Sequence, residues 1–520
     1  MNTFVFLDKA ARFHGDRPAI IHGQEAITYR EFHERALLIA GNLAAMGLLP
    51  GDRVAFCLAN SPRILEVIYA CFAGGFIVVP VNARLHPKEI AYIVENSGSR
   101  VLFHGPEYCD GIETHAVDFQ NLEHRIVTAA DAPAGQGAGI LDSSRSLAAG
   151  LDLKPEAPAW LFYTSGTTGK PKGALWSHRT IRVVIMNYLA DLYNIGFQEP
   201  VLHCAPLSHG SGIIALPAVA RAAVNIIYEH PSFDPASLFA TVARHQVSHV
   251  AFMAPTQIIK CLEDYTESWQ TGSLRGICYG GAPMHVEHLK RAVATFGSVF
   301  IQLYGQGEAP ITIAGMSAAE HELFIRTADE RIASAGRSRT DVEVRCVDEA
   351  GATLPIGEIG EIVARGDVVM EGYWGDPEAT ADTIRDGWLY TGDVGRFDNE
   401  GYLYLLDRSK DVIITGGNNV YPREVEEVIV QHPAVANVVV IGVPDDYWGE
   451  SVQAVVQLEP GQSCSSDDII AFCARNMAGY KKPKAVDFVA EFPVSGYGKI
   501  LRREIRERYR NSGISDTGQS

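Results

Sequence analysis

The chain has 520 residues, more than one ordinary hydrophobic core serves, so at least two domains are expected. An apolar share of 47% beside 20% charged residues excludes a disordered chain, and a net charge of −18 argues against nucleic acid or an anionic membrane surface as partner. Nine scattered cysteines without a CxxC pair suggest neither a disulfide framework nor a zinc site, and no stretch reaches the ~18 apolar residues of a membrane span, so a reducing cytoplasm and no membrane anchor are expected.

Residues 29–46 carry Phe32, Ala36, Leu37, Ile39, Ala40 and Leu43 at helical spacing. Gly51-Asp52 then turns the chain into a strand at 54–58. Ser61-Pro62 supplies a capping residue and a first-turn proline for a helix that ends near Gly74-Gly75. A strand at 77–80 follows, and strand, helix, strand in this rhythm implies a right-handed crossover and a parallel sheet. Residues 131–150, rich in Ala, Gly and Ser, read as a loop.

A short apolar strand, Ala159-Trp160-Leu161-Phe162, opens onto Tyr163-Thr164-Ser165-Gly166-Thr167-Thr168-Gly169-Lys170-Pro171-Lys172-Gly173. Its glycines let successive N–H groups turn toward one point, a nest that suits an anion. The hydroxyls add donors that rotate to meet phosphate oxygens, and Lys170 and Lys172 add charge. This is chemistry for gripping a polyphosphate. It is not a Walker A loop, because proline rather than Ser or Thr follows Lys170 and the glycine spacing differs.

Beyond it, 178–193 reads as a helix and 201–205, 250–255 and 276–279 as strands. Four strand ends carry chemistry-bearing runs: Ala205-Pro206-Leu207-Ser208-His209-Gly210-Ser211-Gly212, Gly280-Gly281-Ala282-Pro283, Gln302-Leu303-Tyr304-Gly305-Gln306-Gly307-Glu308 and Trp388-Leu389-Tyr390-Thr391-Gly392-Asp393. Taken singly, His209 reads as a satisfied loop histidine and Tyr304 as core, while Gly280-Gly281 reads equally as a tight turn or as small residues that admit a flat ring against the backbone. Glu308 is a hard oxygen ligand suited to Mg²⁺, and an aspartate such as Asp393 suits the paired hydroxyls of a ribose. From Asp341 apolar residues alternate with polar ones between Gly-rich turns, the pattern of an antiparallel barrel-like unit. A further shift near Arg408 opens a last segment with helices at 423–431 and 467–476 and strands at 438–443 and 451–458, enough for a small α+β domain. It holds two more Gly-rich runs, Gly416-Gly417-Asn418-Asn419 and Ser495-Gly496-Tyr497-Gly498-Lys499. The tail from Asn511 to Ser520 is polar and expected to fray.

In kind and in order, across nearly the whole chain, these runs resemble the adenylate-forming (AMP-binding) superfamily, in its acyl- and aryl-CoA ligase branch. The resemblance implies a large N-terminal α/β domain over 1–409, with mostly parallel sheets, helices and a small barrel-like unit. It implies a small mobile α+β domain over 410–520, hinged at Lys410. ATP, Mg²⁺ and CoA are the cofactors it implies. Thr164, Ser165, Gly166, Thr167, Thr168, Gly169, Lys170 and Lys172 would grip the phosphates, and Thr164 and Glu308 the Mg²⁺. Gly281, Ala282 and Pro283 with Gln302, Tyr304 and Gly305 would receive the adenine, and Asp393 and Arg408 the ribose. Lys499 would be the catalytic lysine and His209 would stand at the mouth of the acyl pocket. Gly416 and Gly417 would line the pantetheine channel, while Trp448, Tyr480 and Lys482, joined by Arg84, would meet the nucleotide end of CoA.

The sequence departs from the family pattern in three places: Ser208 replaces a frequent aromatic residue, Gly307 a usual Thr and Ser495 a usual Thr. The implied reaction activates a carboxylic acid to an acyl-adenylate and passes the acyl group to CoA. Transfer to an amine or to a carrier-protein thiol is the alternative, and a non-catalytic binding protein is disfavoured because the catalytic positions are filled. The pocket the resemblance assigns, Ala205, His209, Gly210, Ser211, Phe252, Gly280 and Gly305, suits a monocarboxylic acid with an apolar body. Homodimerisation is left open.

Overall fold

The computed structural model describes residues 1–110, 120–128, 145–164, 170–230, 232–282, 284–445, 447–495 and 499–512, with the backbone alone at 409 and 510–512. Strand-helix-strand rhythm in the first part of the chain builds a seven-stranded sheet in the order Gly372–Tyr373, Lys172–Ser177, Pro158–Thr164, Ile77–Val81, Arg53–Cys57, Val101–His104, His124–Val127. Arg53–Cys57 and Ile77–Val81 are parallel, as the crossover requires. The helix between them, Pro62–Gly74, is buried along nearly its whole length, so its lack of a polar face fits its place. It stops at Gly75, whose φ of 71° suits a residue without Cβ. One expectation fails here: Ser61 stands at the N-cap, but its side chain makes no capping hydrogen bond. Thr28 does cap the Tyr29–Ala45 helix, reciprocally with Glu31.

A second, nine-stranded sheet runs Arg337–Ser338, Ala314–Met316, Phe300–Tyr304, Gly276–Gly280, His249–Met253, Pro200–His203, Val224–Ile227, Pro18–His22, Glu25–Thr28. From Phe300–Tyr304 to Pro18–His22 its pairings are parallel, so the carboxyl ends of these strands lie along one edge. Ligands of open α/β sheets bind at such an edge. The helix expected at 178–193 is α-helical only over His178–Asn187 and continues as one π turn, Tyr188–Leu192. The alternating run after Asp341 forms an antiparallel five-stranded sheet in which Trp388–Phe397 pairs with both Gly360–Arg365 and Leu403–Arg408.

The last segment folds on its own core. Val435–Asp445 and Gly449–Leu458 are its long central pair, and Ile413, Val425, Ile429, Val440, Val456 and Ile469 fill the space beneath helices Pro422–Ile429 and Ser466–Asn476. Helix Arg502–Ser512 reaches into the stretch expected to fray, because Ile505 is buried against Val439, Ile441 and Val455. The small unit makes hydrogen bonds and ion pairs to the large one. Arg423 donates to the carbonyls of Leu405 and Ala333, Glu427 accepts from the Val286 amide, and Arg291 pairs with Glu459. The loop expected at 131–150 lies outside the described residues up to Ser144. Among the described residues no helix is long and apolar enough to cross a membrane, and all nine cysteines are free thiols.

Candidate active site

The phosphate-gripping run is the connection of a β-hairpin, not a strand-to-helix turn: Pro158–Thr164 and Lys172–Ser177 are antiparallel, with Thr164 opposite Lys172. That geometry is the structural reason the Walker A reading fails. Ser165, Gly166, Thr167, Thr168 and Gly169 lie outside the described residues, as does Pro283. Of the residues that can be placed, Lys170 is exposed with its ammonium 5.5 Å from the Tyr92 ring centre. Thr164 donates its hydroxyl to Oε1 of Glu308 at 3.3 Å, so the two expected metal ligands are neighbours.

Glu308 is brought there by the loop that leaves the Phe300–Tyr304 strand. Trp176 of the hairpin donates its indole N–H to the Gly307 carbonyl at 2.7 Å, and Phe162 stacks on Trp176 at 5.0 Å. A Cβ at position 307 would stand 2.1 Å from Thr164 Cγ2 and 2.9 Å from Phe162 Cδ1. A threonine there would have to displace Thr164 or Phe162. The loop is tight throughout: a Cβ at Gly305 would meet the Ile311 nitrogen at 2.4 Å, and Ile311, a β-branched residue, sits at φ 46°. Such strain persists only where the surroundings impose it, often at functional sites.

A second group gathers at the antiparallel sheet. Asp393 lies opposite Arg408 in the strand register, and the guanidinium Nε is 3.3 Å from Asp393 Oδ1. Oδ2 accepts from Tyr304 Oη at 2.8 Å and from Gln306 Nε2 at 2.7 Å. The carboxylate is thus aimed by three donors from two separate stretches of chain. Tyr304 is 7% exposed, and its hydroxyl serves to hold Asp393 in place. Gln302 accepts from the buried Tyr279 hydroxyl. Gln306 escaped the sequence reading although it stands inside a motif that was recognised.

Lys499 comes to this group from the small unit. Its backbone is fixed by Ser495, whose N–H donates to the Lys499 carbonyl at 2.7 Å. The side chain is open to solvent, yet protein crowds it. Desolvation first, then repulsion from Arg408 and Arg502, lower its pKa to about 8, against the pull of Asp393 and Asp411. An ammonium lining a cleft loses hydration in this way while remaining accessible. Nearby, burial pushes the Asp407 carboxyl up to about 6, Arg506 binds Asp411 at 2.5 Å, and desolvation lowers the pKa of the exposed Lys410.

The expected acyl pocket is only partly as drawn. His209 and Phe252 are half-buried, and Gly210 approaches Phe252 so closely that a Cβ there would lie 3.2 Å from the ring. Burial holds the His209 imidazole neutral, with a pKa lowered to about 3. Gly281, exposed at φ 77°, continues the wall. Ala282 beside it is half-buried. Ser211 does not line the pocket: it is fully buried and bonds the equally buried His203. Gly280 is closed off by the neighbouring strand, since a Cβ there would meet the Leu303 carbonyl at 2.6 Å. Asn60, unmarked by any motif, ties down the loop carrying His209, donating to the Ala205 carbonyl and accepting from the Leu207 amide.

On the small unit, Gly416 and Gly417 have φ of 55° and 77°, and Gly416 lies against Trp448, where a Cβ would come within 2.6 Å of the indole. Trp448 and Tyr480 are exposed, and the Lys484 ammonium sits 4.7 Å from the Trp448 ring centre. Lys482 is half-buried. Arg84 receives support on its backbone amide from Asn82.

The family described as AMP-binding enzyme matches residues 7–374, and the AMP-binding enzyme C-terminal domain matches 424–499. A feruloyl-CoA synthase of Amycolatopsis sp is 37% identical over 505 residues, 96% of this chain and 98% of that one. A fatty acid–[acyl-carrier-protein] ligase, ScoC of Streptomyces coeruleorubidus, is 33% identical over 95% of this chain and 93% of its own. The crystal structure of ATP-bound MatB from Rhodopseudomonas palustris superposes with a TM-score of 0.88 at 29% identity, covering 98% of this chain and all of that one.

Proposed function

The chain belongs to the AMP-binding enzyme family, and from that premise we propose that it joins a monocarboxylic acid of apolar body to CoA through an acyl-adenylate, releasing AMP and pyrophosphate. The observation that carries the reading is a continuous chain of contacts from Thr164 to Glu308, along the 304–308 loop, through Tyr304 and Gln306 to Asp393 and then Arg408, with Lys499 near enough to feel the charges of Asp393 and Arg408. These contacts support a site that holds phosphate, ribose and the reacting carboxylate side by side.

In the first half-reaction a substrate carboxylate attacks the α-phosphate and pyrophosphate leaves. Charge on the transferring group is the main obstacle, met by cations and donors held in place beforehand. Lys499 would bridge the attacking carboxylate and the α-phosphate. Lys170 and Lys172 would hold the leaving phosphates, and Asp393 the ribose hydroxyls. Glu308 and Thr164 suit Mg²⁺: both are oxygen ligands, and among the described residues both hydrogen bonds to the Glu308 side chain go to Oε1, sparing Oε2. When bound, the ion offsets charge on the phosphates. His209, held neutral, offers a ring rather than a cation to the acid.

In the second half-reaction the small domain, taken as 410–520, turns about Lys410, withdraws Lys499 and presents Gly416 and Gly417. The CoA thiol then displaces AMP, with Trp448, Tyr480 and Lys482 on the nucleotide end. Nine free thiols suit a reducing cytoplasm. A carrier-protein thiol is the second reading, favoured by the name of the 33% identical relative. Pyrophosphate release over a panel of acids, with CoA, carrier protein or neither, tests both. Thioester with CoA supports the first reading, and acylated carrier in its place supports the second.

Two outcomes are expected in the same assays. Monocarboxylic acids with aromatic, alicyclic or medium-length apolar bodies should be preferred, because none of the assigned pocket residues is an Arg or Lys to pair a second carboxylate, which is costly to bury alone. Strong preference for malonate or another dicarboxylate contradicts this. Asp393→Ala should raise the Michaelis constant for ATP by roughly 10- to 100-fold with little change for the acid, the effect of losing a hydrogen bond to a charged group worth about 1.5–3 kcal/mol. Unchanged ATP dependence beside a shifted acid dependence would remove the ribose role.

A further inference from the structure

The Glu308 carboxylate has a second holder, which belongs to none of the recognised motifs. Tyr373, 65 residues further on, donates its hydroxyl to Glu308 Oε1 at 2.6 Å. It does so from the edge strand Gly372–Tyr373, laid antiparallel on the phosphate hairpin with Gly372 opposite Leu175 and Tyr373 opposite Ala174. The flanking amides lock that strand: Glu371 N–H donates to the Leu175 carbonyl and Trp374 N–H to the Gly173 carbonyl, both at 2.8 Å. Thr380, from the helix Pro377–Thr383, accepts the Tyr373 amide, also at 2.8 Å. Upstream, the Met370 amide donates to the Glu308 carbonyl at 2.8 Å, so the same strap grips Glu308 by main chain and side chain. The Tyr373 ring lies under the other expected phosphate contact, its centre 5.1 Å from the Lys172 ammonium.

We propose that Tyr373 is a positioning residue for adenylation: its hydroxyl fixes Glu308 so that Oε2 is presented to the metal ion, and its ring props Lys172 toward the phosphates. The proposal rests on the reading of Glu308 as a metal ligand. A tyrosine suits the task because one side chain joins two oppositely charged groups, donating to the carboxylate from the ring edge and facing the ammonium with the ring's negative face.

Tyr373→Phe and Glu308→Gln separate the possibilities. Isothermal titration calorimetry with Mg·ATP, and with ATP in EDTA, supplies a readout independent of turnover. Tyr373→Phe should weaken Mg·ATP binding about 10-fold and raise the Mg²⁺ concentration for half-maximal pyrophosphate exchange similarly, as for a lost hydrogen bond to a charged group. Binding of metal-free ATP and thioester formation from supplied acyl-adenylate should stay as in the wild type. Tyr373→Leu, which also loses the ring, should in addition weaken metal-free ATP. If Glu308→Gln shifts the metal dependence and Tyr373→Phe does not, Tyr373 is only an edge-strand residue and the proposal is overturned. Equal loss in both half-reactions overturns it in the same sense. If Glu308→Gln itself leaves the metal response unchanged, the ligand reading of Glu308 fails and takes the proposal with it.

Discussion

Lys499→Ala is expected to slow acyl-adenylate formation by a factor of about 10²–10³ while sparing thioester formation from supplied acyl-adenylate and CoA. The factor is the usual cost of removing one preorganised contact from the charge that develops in a transition state. The selectivity follows from position. In this structure Lys499 feels the charges of Asp393 and Arg408 on the large domain. The transfer step would use the Gly416-Gly417 face instead. With its pKa lowered to about 8, the free lysine loses its proton in mildly alkaline solution. The value of kcat/KM for adenylation should therefore fall above about pH 8, and that limb should vanish in Lys499→Ala. Equal losses in the two half-reactions, or an alkaline limb that survives the substitution, would show that Lys499 supports the fold and not the chemistry.

Restoring the family's threonine at position 307 should damage the enzyme. The nearest obstacle to a new Cβ is Thr164 Cγ2 at 2.1 Å, followed by Phe162 Cδ1 at 2.9 Å. Neither yields easily: Phe162 is stacked on Trp176, and Trp176 is hydrogen-bonded to Gly307 itself. Forcing extra atoms into such a site costs about 1–3 kcal/mol and moves backbone. Here the backbone that moves carries Glu308 on one side and Thr164 on the other. Gly307→Thr should lower the melting temperature by a few degrees, about 2–4 °C per kcal/mol in a large domain, and reduce pyrophosphate exchange at least about tenfold. Adding Thr164→Ser removes the obstructing methyl but keeps the hydroxyl for Glu308, so the double variant should recover part of both losses. A Gly307→Thr protein as stable and active as the parent would mean that the hairpin and the loop are free to part.

What the sequence determined by itself is whatever depends on near neighbours in the chain. Helical spacing at 29–46, the strand-helix-strand rhythm around 54–80 and the turn at Gly75 are local, and the structure has them within a few residues. The motifs are local too: a run such as Tyr304 to Glu308 carries its aromatic, its glycines and its carboxylate together wherever the fold takes it. Even so, the run at 205–212 does not show that the Ser211 hydroxyl meets His203 in the interior. That Gly307 has Thr164 and Phe162 close beside it is equally a matter of tertiary contact. Trp176, Gln306, Asn60 and Tyr373 carry no signal of their own, since each acts on a group brought near by another strand or another sheet. The tertiary structure decided these, because the distance between Tyr373 and Glu308, or between Thr164 and Gly307, is set by how elements of two different sheets are brought together. That packing is the sum of many apolar contacts over the whole domain, and no short stretch of residues encodes it.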